Sequence, residues 1–144
     1  MEKIVVLSKE EIIEFVKNLH PNPVVGVLLA GDRLLCVTEA VGIEIEGKMI
    51  GIATIAEEGE LYSGDPTLVA LYIKPEHRQK GYGKKLLKEA ISYAKKKFPY
   101  LRVDILSSKV KKMIESLSEE DKKFLKIFDP GASTGFYPLD YFPE

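Results

Sequence analysis

The segment Ala70-Leu71-Tyr72-Ile73-Lys74-Pro75-Glu76-His77-Arg78-Gln79-Lys80-Gly81-Tyr82-Gly83-Lys84-Lys85-Leu86-Leu87 passes from strand to loop to helix within a few residues. The apolar and β-branched run Leu68 to Ile73 reads as a buried strand, and Pro75 stops it. Leu86, Leu87, Ala90, Ile91, Ala94 and Phe98 then recur at three- and four-residue spacing, so a helix follows and Pro99 ends it. Between the two elements lie Arg78, Lys80, Lys84, Lys85 and the glycines Gly81 and Gly83.

This order suits capture of a phosphate-bearing ligand. The first turn of a helix carries unpaired N–H groups and a partial positive charge. Glycine lets a ligand approach that backbone and permits left-handed angles. The plainer alternative is a tight turn into a helix whose lysines face water, since short glycine motifs are common. A Walker A loop is excluded, because Gly83-Lys84 is followed by Lys85 instead of Ser or Thr. A dinucleotide fingerprint is excluded by Leu86, which stands where its third small residue belongs.

What remains is Arg78-x-x-Gly81-x-Gly83 preceded by Leu71-Tyr72-Ile73-Lys74-Pro75-Glu76. It closely resembles the acetyl-CoA signature of the GNAT N-acyltransferases, over the whole pattern from about residue 68 to 98. The resemblance implies acetyl-CoA as co-substrate and no metal. Arg78, Gln79, Lys80, Gly81, Tyr82, Gly83 and Lys84 would hold its pyrophosphate, and Leu71, Tyr72 and Ile73 would run beside its pantetheine arm. It also implies an α/β fold with a mixed, mostly antiparallel sheet flanked by helices. A parallel, splayed pair of strands is expected at 68–74 and 101–106.

At 144 residues the chain is expected to form a single domain, 1–144. Hydrophobic content of 45% and charged content of 30% are those of a globular protein. A net charge of −1 gives no bulk electrostatic case for nucleic acid or an anionic membrane. No apolar run approaches the about 18 residues of a membrane span. The start reads as a strand instead of a signal peptide, and the single Cys36 permits no internal disulfide. A cytoplasmic location is therefore expected. Cys36 reads as a small buried hydrophobe.

Along the chain, residues 3–7 read as a strand, and Ser8 with Glu11 as a capping box before a helix to about residue 19. Residues 24–39 lean towards a hairpin. Alternation at Val41, Ile43 and Ile45, a turn at Gly47-Lys48 and the run Met49 to Ala56 make the central hairpin. Leu101, Val103 and Ile105 mark a strand parallel to 68–74.

The segment 107–144 departs from the family. Val110, Met113, Ile114 and Leu117 make a helix without the expected tyrosine, and Ser107 and Ser108 replace an expected Asn. Ser118 begins a second helix, with Phe124, Leu125 and Phe128 as its apolar face. The aromatic tail Gly135 to Pro143 offers Tyr137 or Tyr141 as a substitute general acid, against the simpler reading that they pack on the domain or on a second copy in a homodimer. For the general base the family pattern implies a carboxylate near the start of the fourth strand, here Asp65 or Glu58, directly or through water, against the simpler reading that each decorates a solvated loop. Glu39, Glu44 and Glu46 would either attract a cationic amine acceptor or face water.

Two readings of function stay open. One is an N-acetyltransferase acting on a primary amine by direct attack in a ternary complex. The other is an acyl-CoA-binding sensor or scaffold without turnover, towards which the missing helix tyrosine leans. A nucleotide-binding domain unrelated to coenzyme A is the remote third.

Overall fold

The computed structural model describes residues 1–19, 36–60 and 63–141. The hairpin expected over 24–39 lies mostly outside them. β1 is Glu2–Leu7, followed by helix α1, Lys9–Lys17. The capping box is formed: the Ser8 hydroxyl accepts from Glu11 N at 3.3 Å, and Ser8 N donates to Glu11 Oε1 at 3.1 Å.

β2 (Glu39–Ile45) and β3 (Lys48–Ala56) form the central hairpin. Its turn is Glu46-Gly47, both left-handed with φ of 54° and 77°, one residue earlier than the sequence suggests. The primed geometry matches strand twist, and Lys48 is already paired with Ile45. The strands are buried on both faces, beyond the half-burial that alternation implied. Ala40 and Ile52 point to α1, where they meet Leu7, Ile12 and Val37. Their neighbours Val41 and Ala53 point the other way, to Leu86, Leu87, Ala90, Ile91 and Ala94 of α2, Tyr82–Lys95. Two cores thus sandwich one sheet, and burying each such aliphatic side chain contributes roughly 1.5–3 kcal/mol.

β4 is Thr67–Ile73 and β5 is Leu101–Asp104. The six strands are ordered β1-β2-β3-β4-β5-β6, antiparallel through β4 and parallel from β4 to β6. β4 and β5 pair only at Thr67 with Arg102 and Leu68 with Val103, so the expected splay is present. Next come α3 (Ser108–Glu115), capped by Ser107, and α4 (Glu119–Phe124), capped by Ser118.

One expectation fails here. Leu125–Phe128 is not the apolar face of a longer helix but a strand, β6, parallel to β5 in continuous register from Leu101–Leu125 to Asp104–Phe128. The apolar spacing of so short a segment fits either period, and the open edge of β5 decides for strand. A short helix α5, Gly131–Thr134, and a 3₁₀ turn at Pro138–Tyr141 complete the described chain.

Candidate active site

The site begins where β4 changes its facing. The register against β3 shifts between Ile55–Leu68 and Thr54–Ala70, which leaves Val69 as a bulge. Before the bulge, Pro66 O accepts from Arg102 N of β5 at 2.8 Å. After it, Lys74 N donates to Ile50 O of β3 at 2.8 Å, so Ala70, Tyr72 and Lys74 turn their backbone groups towards β3. Leu71 and Ile73 therefore direct theirs to the opposite side, from which β5 has departed. Of the residues expected beside the pantetheine arm, Leu71 and Ile73 thus turn their backbone groups to the open side and Tyr72 does not.

At the end of β4 the chain makes a 3₁₀ turn at Pro75–His77 and enters the loop. Arg78 does not reach outward. Its Nε donates to Ile73 O at 2.7 Å, and its guanidinium lies 5.3 Å from the centre of the Tyr72 ring, which itself meets Phe15 edge-on. Burial pushes the Tyr72 phenol above its ordinary range, partly offset by Arg78. The loop then takes two left-handed residues, Gln79 with φ 62° and Gly81 with φ 85°. Left-handed turns of this kind gather successive N–H groups into an anion-binding concavity.

Gly81 is the N-cap of α2, and no side chain caps it, whereas Ser8, Ser107 and Ser118 cap α1, α3 and α4. The first bond of the helix runs from Lys85 N to Gly81 O at 3.2 Å, so the amides of Tyr82, Gly83 and Lys84 precede the helical ladder. Among the described residues, no atom beyond its immediate chain neighbours and the backbone of its own helix lies within 4 Å of where a Gly81 Cβ would stand. Gly83 is different: its Cβ would sit 3.1 Å from Met113 Cε, so this glycine lets α3 pack against the first turn of α2.

Beside Gly81 opens a shallow basin of about 310 Å³, lined by Lys84, Lys85, Lys88 and Glu89. Lys88 was passed over in the sequence, although its four-residue spacing from Lys84 puts both on one helix face. Lys85 is drawn into a salt bridge with Glu2 of β1, and that hydrogen bond raises its pKa. A cradle of free helix amides, a residue-free space over Gly81 and a lysine-lined basin fit the phosphates of coenzyme A. Among the described residues no group of His, Cys, Asp and Glu could hold a metal ion, and no helix is long and apolar enough to cross a membrane.

The carboxylates separate. Asp65 is 6% exposed, at the root of β4. It accepts from Tyr100 Oη at 2.6 Å, Arg102 Nη1 at 3.3 Å and Lys126 Nζ at 3.3 Å. The Tyr100 hydrogen bond is the main cause that holds it below the usual carboxylate range, with Lys126 and Arg102 adding to it against the effect of burial. Both of its oxygens are thus engaged, so it is not the solvated loop side chain that its position in the chain suggests. Glu58 is exposed in the loop after β3. Glu39 is buried and accepts from Thr38 Oγ1 at 2.6 Å, Tyr93 Oη at 2.7 Å and the Lys97 ammonium, so it anchors α2 instead of facing an acceptor. Glu46 pairs with the α-amino group of Met1 at 3.0 Å.

In the tail, Tyr137 is 7% exposed and packs in the core, its hydroxyl accepting from Lys111 Nζ at 2.9 Å. Lys111 also pairs with Asp129 at 3.1 Å. The packing reading thus holds for Tyr137. Tyr141 is exposed and stacked on Phe136, ring centres 5.2 Å apart.

A bulged β4, a parallel β5 that pairs at its root alone, and a glycine-capped helix between them are the arrangement that the resemblance to the GNAT N-acyltransferases implies. The Acetyltransferase (GNAT) family profile matches residues 12–115. The chain belongs to the GNAT acetyltransferase family and is, on that basis, an acyltransferase. Among solved structures, the IAA acetyltransferase from Bacillus cereus ATCC 14579 is 18% identical, with a TM-score of 0.58 over 80% of this chain and 74% of that one. AAC(6')-Iy, solved in complex with the bisubstrate analogue CoA-S-monomethyl-acetylneamine, is 15% identical, with a TM-score of 0.52 over 83% of this chain and 92% of that one. At these identities the likeness is one of fold. A sequence comparison with curated proteins finds no match.

Proposed function

We propose that the protein transfers the acetyl group of acetyl-CoA to a primary amine. The observation that carries this reading is the uncapped, left-handed Gly81 at the head of α2, beside the gap left where β5 departs from β4. The amides of residues 79–84 and the lysines of the basin hold the phosphates, and the pantetheine arm runs along Leu71 to Ile73. When bound, the co-substrate supplies a thioester. The amine nitrogen bonds to its carbonyl carbon, the C–S bond breaks, and the thiol leaves as coenzyme A. In this reading the open-side N–H groups of Leu71 and Ile73 polarise that carbonyl.

A lysine-type amine has a reference pKa of about 10.4 and an α-amine about 7.7–8.0, so a proton must be removed at neutral pH. With Asp65 saturated, Glu58 or water takes it. AAC(6')-Iy shares the fold and was solved with the bisubstrate analogue CoA-S-monomethyl-acetylneamine; for this chain the acceptor class is a primary amine on a small molecule or peptide.

The test is titration with acetyl-CoA by calorimetry, with thiol release followed across a pool of amines. Binding with release dependent on one amine is expected. Binding without amine-dependent release across the pool would favour the sensor reading, and absence of binding would reduce Arg78 to Lys85 to a turn into a helix.

A further inference from the structure

The backbone contact between β4 and β5 is slight: two register pairs, against four between β5 and β6. Parallel pairing this short is weak in itself. Yet the gap that begins one residue later must have a constant width to grip a narrow chain. The side chains supply what the ladder lacks. Asp65, two residues before β4, is joined to Tyr100 just before β5, to Arg102 of β5 and to Lys126 of β6.

Arg102 extends the connection. Its Nε and Nη2 donate to Asp104 at 3.1 and 2.9 Å, and its guanidinium lies 3.8 Å from the centre of the Phe128 ring. One guanidinium therefore holds Asp65 at the root of the gap, Asp104 at the last residue of β5 and a ring on β6. Lys126 lies 5.7 Å from the Tyr100 ring centre and 5.6 Å from that of Phe128. Planar, multidentate pairing of this kind fixes direction as well as distance.

We propose that Asp65 is a positioning residue that clamps the roots of β4 and β5 and so sets the width of the gap that receives the pantetheine arm. The inference rests on the cofactor reading above. It replaces the proton-acceptor role that the sequence offered for Asp65, because the oxygens that would take a proton are engaged by Tyr100, Arg102 and Lys126.

The experiment compares two ligands. Adenosine 3′,5′-bisphosphate contacts the loop and basin alone, whereas acetyl-CoA must also enter the gap. Asp65→Asn keeps the shape but removes the charge. It is expected to weaken acetyl-CoA by about tenfold, because small misplacements of a binding surface are felt strongly, with the affinity for the bisphosphate unchanged. Tyr100→Phe removes one hydrogen bond to Asp65, retains the ring beneath Lys126, and should move acetyl-CoA in the same direction by less. It carries the test should the Asn variant fail to fold, which thermal unfolding reports. Equal loss for both ligands, or no loss for acetyl-CoA, overturns the clamp. Failure of the unaltered protein to bind acetyl-CoA overturns the cofactor reading and the clamp with it.

Discussion

Gly81 and Gly83 look equivalent in the sequence and are not. Gly81 has a left-handed φ of 85° with open space beyond it, while Gly83 is helical and abuts Met113. Gly81→Val should cost about 1–2 kcal/mol of stability through the forbidden angle and abolish acetyl-CoA binding, read by urea unfolding and calorimetry. Gly83→Val should destabilise through the α2–α3 contact by about 1–3 kcal/mol, which urea unfolding also measures. A tie between either loss and the wrong glycine would refute the division of labour. The same scale separates Asp65 from Glu58. Nothing in the string of letters shows that Tyr100, Arg102 and Lys126 converge on Asp65, because they come from the start of β5 and from β6, both distant from Asp65 in sequence.

At the level of elements, caps and helices were legible because their physics is local. Ser8 and Ser118 each satisfy an amide a few residues on, and the apolar face of α2 repeats with helical period. β6 was not legible. Phe124, Leu125 and Phe128 have helical spacing, and only the free edge of β5 turns Leu125–Phe128 into a strand. Gly131 shows how tightly the segment after β6 is fitted. A Cβ there would lie 2.4 Å from Tyr137 Cε1 and 2.7 Å from the Phe136 carbonyl oxygen. Gly131→Ala is expected to destabilise by about 1–3 kcal/mol, since the carbonyl is backbone and cannot swing aside. A denaturation midpoint unchanged from the parent protein would show that the tail is loosely held.

Across the whole molecule, three carboxylates bind the layers together and share one electrostatic character. Burial pushes Glu39 up, but hydrogen bonds from Lys97, Thr38 and Tyr93 outweigh it and leave it below its ordinary 4.5. Asp65 is lowered chiefly by Tyr100. For Asp129 burial acts upward and is outweighed by Tyr137 and Lys111. In each case the unfolded chain takes up a proton at higher pH than the folded one. Stability from these groups is present above the unfolded pKa values and is lost as pH falls through the folded ones. Thermal unfolding should therefore show a steep loss on acidification below the ordinary carboxylate range. Glu39→Gln should be less stable at neutral pH and have a shallower acid limb; a limb as steep as the parent's would remove Glu39 from this account. Acetyl-CoA affinity should fall as salt is added, because Lys84 and Lys88 flank an open basin. Isothermal titration at two ionic strengths measures this.

The sequence by itself determined the strand–loop–helix unit, the central hairpin, the helix caps and the family, because each is written in neighbouring residues through periodicity, turn chemistry and the Arg78-x-x-Gly81-x-Gly83 spacing. The tertiary structure alone decided which amides of β4 face the gap, that Leu125–Phe128 joins the sheet, that Asp65 and Glu39 are spent on structural cations, and that Tyr137 is buried. The reason is physical: a bulge reverses facing only relative to partner strands, and a carboxylate's role depends on charges that arrive from elsewhere in the chain.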